Sequence, residues 1–297
     1  MEPARRLLPP PPPGQLAPLL AAYDAAVAAK RRHLALGSAL LVLAVAAASM
    51  GAEVHPAAFW AKLGNFGSYI DRIATLDTGA RVWTDLGSWF WGLGRWSLLI
   101  GETLLIAYVS TLTGAAAAVV GAVLASTNLG RPAVLRFVVR RVLEFCRTVP
   151  DIVFALIFVV AFGLGALPGV LAIAVHTAGT LGKLFAESIE NIDMRPVEAM
   201  TATGASAVSQ VRFGALPQVL PSFVSYALLR FEINVRGAAV IGFVGAGGIG
   251  ETLLTAIRKF FYSDVSAILV MLTVCVILID LGSERLRHRL LAIGGQR

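Results

Sequence analysis

The chain has 297 residues, 57% of them hydrophobic and only 14% charged, whereas a soluble domain carries about 25% charged residues. That balance excludes an ordinary soluble enzyme and indicates an integral membrane protein. The net charge of +7 does not point to nucleic acid, because the basic residues alternate with apolar segments instead of forming one stripe.

Residues 1–33 read as a tail. Pro9 to Pro13 form a polyproline run that cannot be helical. Tyr23 to Arg32 follows as a short helix leading into the membrane. Lys30, Arg31 and Arg32 ahead of an apolar run ending AAASMGA resemble a signal peptide. The preceding region is long for one and further spans follow, which favours an uncleaved first helix.

A membrane span needs about 20 apolar residues at a rise of about 1.5 Å each. Six segments meet that length: 34 to 51, 98 to 126, 149 to 167, 169 to 187, 217 to 245 and 264 to 282. The expectation is an all-α polytopic membrane protein with about six transmembrane helices over residues 34–297. Residues 52 to 97 differ, carrying Trp60, Trp83, Trp89, Trp91 and Trp96 among scattered charges, and read as an external interfacial segment. The segments 1–33, 127–148, 188–216 and 283–297 hold sixteen Lys and Arg, against six in 52–97 and 246–263, with three inside spans. The richer set takes the cytoplasmic side, which places both termini there. Arg131, Arg136, Arg140, Arg141 and Arg147 are the strongest part of that signal. Cys146 and Cys275 lie far apart in apolar stretches, without metal-ligand spacing, and imply neither a disulfide framework nor a zinc site.

One polar interruption stands out in the cytoplasmic loop between the fourth and fifth segments: EAMTATGASAVSQVRFGALPQ, 198 to 218. Pro196 suits the first position of a helix, and Glu198 complements the positive end of its dipole. Gly204 can end that helix in a left-handed conformation and Ser206 can cap the next, which Gly214 and Pro217 end before the fifth span. Ala199, Ala202, Ala205 and Ala207 give the resulting knob a shallow surface suited to close approach by another protein.

The spacing within this loop resembles a pattern of the membrane subunits of bacterial ABC importers: E-A-A, three residues, G, nine residues, I, one residue, L-P. Glu198, Ala199, Gly204, Leu216 and Pro217 fit it, while Met200 replaces the second Ala and Gly214 stands where Ile is usual. RTVPDIVFALIF at 147–158 and HTAGTLGKLFAESIENID at 176–193 look most like the permeases of phosphonate importers. RFEINVRGAAVIGFVGAGGIGETL at 230–253 is shared with the methionine-type permeases. The resemblance extends over nearly all of the chain beyond the tail. It implies the type I ABC importer permease fold in a bacterial inner membrane. The partners it implies are a second copy of the permease, two cytoplasmic ATPase subunits that use ATP and Mg, and an external phosphonate- or phosphate-binding protein. It also implies that Glu198, Ala199, Gly204, Leu216 and Pro217 dock in a cleft of the ATPase and transmit its closure. The cargo would then be a phosphonate or a related phosphorus oxyanion, with a methionine-type or other small-solute importer as the alternative.

Several ionisable groups fall inside the apolar segments, where each is costly unless paired or wetted. Arg230, Glu232, Asn234 and Arg236 lie in the fifth. Glu232 and Arg236 form an i, i+4 pair in the favourable order, and Arg230 faces the same side as Asn234. These groups either hold the bundle together or line the substrate path, where Arg matches the geometry of a phosphorus oxyanion. His176, Lys183 and Glu187 lie in the fourth segment, with Lys183 and Glu187 again spaced i, i+4, and the same two readings apply to His176 and Lys183. Asp151 is either a helix-end charge or part of an inner gate, and Glu102 is interfacial.

From Pro217 to Gly250 a straight helix would extend about 50 Å, against a hydrocarbon core of about 30 Å. A break is therefore expected at Gly242, Gly245, Gly247, Gly248 and Gly250, forming a candidate outer gate.

The same glycines satisfy G-x-G-x-x-G, but the preceding run is too long for a strand, position 270 and its neighbours are apolar, and the rest of the chain supplies no soluble sheet, so no dinucleotide site follows. Glu251 stands where a P-loop needs Lys, so the chain supplies no ATP site or other cofactor site of its own. A secondary transporter would show a second broken helix at the matching place in the first half, and none is visible.

Overall fold

The computed structural model describes residues 13–52, 56–130 and 132–294. Pro9 to Pro12 and Arg131 lie outside the described residues. The chain divides into two units, Met1–Tyr69 and Ile70–Arg297.

In the first unit a single helix, α1 (Pro13–Gly51), replaces the expected tail, short helix and span. Pro13 opens it, where a missing N–H costs nothing. The Ala-rich run from Ala21 to Ala29 has the propensity to carry the helix past Pro18 into the apolar stretch. Helix α2 (Pro56–Ile73) follows and carries the exposed Trp60.

The second unit starts with a tight turn in which Thr75 and Arg81 pair as an antiparallel bridge and Arg81 forms a 2.7 Å ion pair with Asp71. A one-turn helix, α3 (Leu86–Trp89), is capped by Asp85. The long helices then follow: α4 (Leu93–Ala125), α5 (Ala133–Thr148), α6 (Asp151–Phe162) and α7 (Ala166–Glu190). After a loop carrying α8 (Arg195–Ala202) and the single turn α9 (Ala207–Ser209), the chain enters α10 (Leu216–Ile241), α11 (Ile249–Arg258) and α12 (Tyr262–Gly294). Among the described residues four helices are long and apolar enough to cross a membrane, and the number rises to six where each of two bent helix pairs is counted as one span.

The bent pairs alter the sequence expectation in one place. Residues 149–167 were expected to span alone, yet α6 has 12 residues and reaches only about 18 Å. It reaches the length and apolarity of a span only when counted together with α5, from which it turns by 90°. The cause is local: Pro150 has no N–H to donate, and it forces Val149 into an extended conformation (φ −73°, ψ 125°). The stretch 133–148, part of a basic segment given no element from sequence, is thus an amphipathic helix that buries Leu143.

Small residues set the packing. A Cβ on Gly114 of α4 would lie 2.8 Å from the Ala174 carbonyl oxygen, and one on Gly182 of α7 would lie 2.7 Å from Leu143. In lipid such close approach replaces the hydrophobic drive as the source of helix association. Around it lie three apolar clusters. One joins α4, α6, α7 and α10 through Ile106, Phe154, Ile173 and Val235. A second, nearer α8, stacks Phe185 on Phe223 at 3.9 Å. The third packs Trp96 and Ile100 against Leu253 and Val265. Trp96 is 3% exposed and so belongs to the core, whereas Trp60, Trp83 and Trp91 are exposed. Trp89 and Trp91 donate to Ser266 and Asp264, which fixes the α3 region to the start of α12.

Candidate functional site

Three assemblies carry the sequence-predicted residues. The first is the α8 loop. Glu198 lies in the first turn of α8, with Pro196 beside it, and Gly204 ends the turn at φ +73°. The Gly204 and Ala205 N–H groups return to the carbonyls of Thr201 and Met200. The Ser206 hydroxyl accepts from the Ser209 N–H, as a cap should.

The second half of the loop departs from expectation. Gly214 and Pro217 do not end a separate helix: α9 continues through a π-helical stretch, Gln210–Ala215, directly into α10. Gly214 has a packing role instead. A Cβ there would lie 3.1 Å from Cα of Val197, so the bare glycine lets α8 rest against the root of α10.

Gln218 holds the seat closed. Its side chain accepts from the Asp193 N–H at 3.1 Å and donates to the carbonyls of Asp193 (3.0 Å) and Gly214 (2.7 Å). Beneath, Arg140 bonds the last carbonyl of α4 and pairs with Glu190, which also accepts from the Thr127 N–H. Glu198, Ala199, Gly204 and Pro217 are exposed, and Leu216 is half-buried against the second cluster. Val208 and Phe213 add exposed apolar surface. Sequence reasoning missed Val208, Phe213 and Gln218. The signal for the first two was present, as bulky apolar residues within an otherwise small and polar stretch.

The second assembly lies inside the bundle. Asn234 is 2% exposed, and its amide donates to the hydroxyls of Thr111 on α4 (2.8 Å) and Thr177 on α7 (3.0 Å). Arg230, one turn away, also reaches Thr177 through Nε at 3.4 Å, which bears out the shared face. His176 contacts the Val149 carbonyl at 3.1 Å, across the bend between α5 and α6. Asp151 opens α6, where it accepts from the Ile152 N–H, and its other oxygen faces Gly237 of α10.

The other candidates are not brought to this cluster. Arg236 does not pair with Glu232. It reaches Asp280 of α12 at 3.4 Å, on a face of α10 turned away from that of Arg230 and Asn234. Among the described residues Glu232 has no ion-pair partner. Lys183 and Glu187 form the expected i, i+4 pair at 3.5 Å, about half exposed.

The third assembly is the glycine turn. After α10 the chain makes one 3-10 turn at Gly242–Val244, then passes Gly245, Gly247 and Gly248, all at φ between +76° and +83°, into α11 at an angle of 51°. The expected break is therefore present. Its tightest point is Gly250, where a Cβ would lie 1.9 Å from the Ala239 carbonyl oxygen. The turn is bonded to the α6–α7 connection, since the Gly165 N–H donates to the Gly245 carbonyl at 2.9 Å. Thr103 of α4 accepts from the Ile249 N–H. A cleft of about 540 Å³ opens beside the turn, lined among others by Arg95, Glu102, Glu251, Lys259 and Asp264. Among the described residues no three His, Cys, Asp or Glu side chains converge as metal ligands.

The family model for "Binding-protein-dependent transport system inner membrane component" matches residues 117–291, a stretch that contains the α8 loop, the Asn234 cluster except Thr111, and the glycine turn. The chain belongs to this family. Within it, the permease is 40% identical over 198 residues to the phosphite transport system permease protein PtxC of Stutzerimonas stutzeri, covering 67% of this chain and 72% of that one. It is 43% identical over 192 residues to the phosphate-import permease protein PhnE of Mycolicibacterium smegmatis, covering 65% of this chain but only 35% of that relative's length. Among solved structures it is similar to an inward-facing MetNI methionine ABC transporter chain, with a TM-score of 0.56 and 24% identity over 66% of this chain and 95% of that one. That likeness establishes the type I ABC importer permease fold for this permease.

Proposed function

We propose that this permease is the transmembrane subunit of an ATP-driven importer that carries a phosphonate, phosphite or phosphate ion inward by alternating access. Two copies form the pathway, two ATPase subunits dock on the α8 loops at the cytoplasmic face, and an external binding protein delivers the anion at the glycine-turn end. In this arrangement both chain termini lie in the cytoplasm.

The observation that carries the proposal is the seating of α8. It is a short helix with an exposed outer face, and it is locked to the root of α10 through Gly214, Val197 and Gln218. A push on α8 therefore moves α10, and α10 carries Arg230 and Asn234 in the bundle and the glycine turn at its far end. A rigid element that contacts its partner differently in two states is what coupling between distant sites requires. Arg230 supplies the anion chemistry, and the relatives named for phosphite and phosphate transport agree with it. The remaining candidates take their places on this reading. Glu198, Ala199, Gly204, Leu216 and Pro217 form the ATPase contact, and Gly242, Gly245, Gly247, Gly248 and Gly250 form the outer gate. The Arg236–Asp280 pair holds α10 to α12.

The test is ATP hydrolysis by the complex reconstituted with its ATPase and binding protein, across a panel of anions and amino acids. Stimulation by phosphorus oxyanions supports the proposal. Stimulation by an amino acid alone would replace it with a methionine-type importer.

A further inference from the structure

Arg230 and Asp151 are the two charged groups flanking the Asn234 cluster, and neither is neutralised by direct contact. Arg230, Asn234 and Gly237 share one stripe of α10 at i, i+4 and i+7. The Asn234 amide nitrogen donates to both Thr111 and Thr177. Arg230 is anchored only through Nε, by a long 3.4 Å bond to Thr177, and its two terminal amino groups make no hydrogen bond to a described residue. Opposite, Asp151 spends one oxygen on the Ile152 N–H, and its other oxygen would lie 3.5 Å from a Cβ on Gly237. Its carboxylate thus faces the Arg230 stripe of α10 about two turns along from Arg230, and the two groups form no ion pair. Each is held back by its own anchor, Arg230 by the Thr177 hydroxyl and Asp151 by the amino end of α6 behind Pro150.

A guanidinium with two free amino groups is a strong bidentate receptor for a phosphorus oxyanion. A transport pathway cannot use a strong receptor, because an anion bound tightly at mid-path is released slowly. We propose that Asp151 is a built-in counter-charge: a positioning residue that weakens the hold of Arg230 on the passing anion and reclaims the guanidinium once the anion has left. This rests on the reading that anions pass Arg230, and it adds to that reading a residue whose task is release. Gly237 fits the role, because it leaves the face turned to the Asp151 carboxylate without a side chain, while a Cβ there would just reach contact at 3.5 Å.

The experiment uses the full permease–ATPase complex in detergent and in liposomes, with inorganic phosphate as the probe. Binding is read from phosphate-dependent thermal stabilisation without the binding protein, and turnover from phosphate uptake with it. Asp151→Asn is expected to lower the half-saturating phosphate concentration about tenfold, taking the rise of about 10 Å along α10 from Arg230 to Gly237 as the charge separation and an effective dielectric near 20. Uptake at saturation should fall at the same time, and Asp151→Glu should restore both. In an Arg230→Gln background, Asp151→Asn should change neither. The inference is overturned if Asp151→Asn leaves affinity and uptake as in the parent, or alters them equally with and without Arg230. If instead Arg230→Gln alone transports and binds phosphate like the parent, the underlying placement of Arg230 on the path fails as well, which separates the two failures.

Discussion

Replacing Gly214 by alanine should uncouple the permease without removing it from the membrane. A Cβ at this position would lie 3.1 Å from both Cα and Cγ2 of Val197 and 3.2 Å from the Val197 nitrogen. Carbon atoms pack best at about 3.5–4.0 Å, so α8 has to retreat by roughly half an ångström. Val197 is 5% exposed and cannot swing aside, and two of the three contacts are backbone atoms that no rotamer change can move. Overpacking of this kind costs about 1–3 kcal/mol. Spent on the seat of one short helix, it changes the balance between seated and displaced α8 by roughly fivefold to a hundredfold or more. The expected result is a complex of near-normal abundance whose ATP hydrolysis responds weakly to loaded binding protein. Val197→Ala in the same chain removes the Cγ2 contact but not the two backbone contacts, so it should restore coupling only in part. Stimulated ATP hydrolysis in liposomes, read beside thermal unfolding in detergent, tests this. Parental coupling and an unchanged unfolding temperature in Gly214→Ala would refute the account of how α8 is held.

Gln218→Ala removes three hydrogen bonds between mostly exposed partners, a loss of about 1–2 kcal/mol, and should appear as faster amide exchange at Asp193 together with weaker coupling. Gly250→Ala places a methyl group 1.9 Å from the Ala239 carbonyl oxygen, where only backbone displacement can relieve it. Little folded protein should be recovered, as read by monodisperse yield in detergent. Arg236→Gln leaves the Asp280 carboxylate without its partner in a half-exposed site and should destabilise by about 1–3 kcal/mol, less than for a fully buried pair. Adding Asp280→Asn should recover most of that loss in thermal unfolding.

The sequence disclosed what depends on local composition and on spacing. Hydropathy placed α4, α7, α10 and α12 within a few residues at most ends, although α12 runs well past its predicted end because hydropathy does not register an amphipathic extension. Glycine content located the break after α10, and cap chemistry identified Gly204 and Ser206. Direction is harder to read: a hydropathy window counts residues and ignores a turn, so it hides the 90° bend at Pro150 and leaves α5 among the basic cytoplasmic segments with no element assigned. Partners distant in sequence were harder still. The i, i+4 rule paired Arg236 with Glu232, while the fold brought Asp280 from 44 residues away. Thr111 and Thr177 drew no notice because a threonine is neither apolar nor charged, and only the convergence of three helices gives their hydroxyls a shared amide to satisfy. Gly214 looked like a flaw in a motif for the same reason, since its use is the approach of Val197.

The bond between the Gly165 N–H and the Gly245 carbonyl gives the molecule a native probe of its own motion. It joins two connections more than seventy residues apart, neither of which has another covalent or helical reason to stay together. Any conformational step that parts the α6–α7 connection from the glycine turn must release this single amide proton, while the helical amides on either side stay protected. A resonance assigned to Gly165 would therefore serve as a stopwatch for the opening of that end of the bundle, with no label attached and no residue altered.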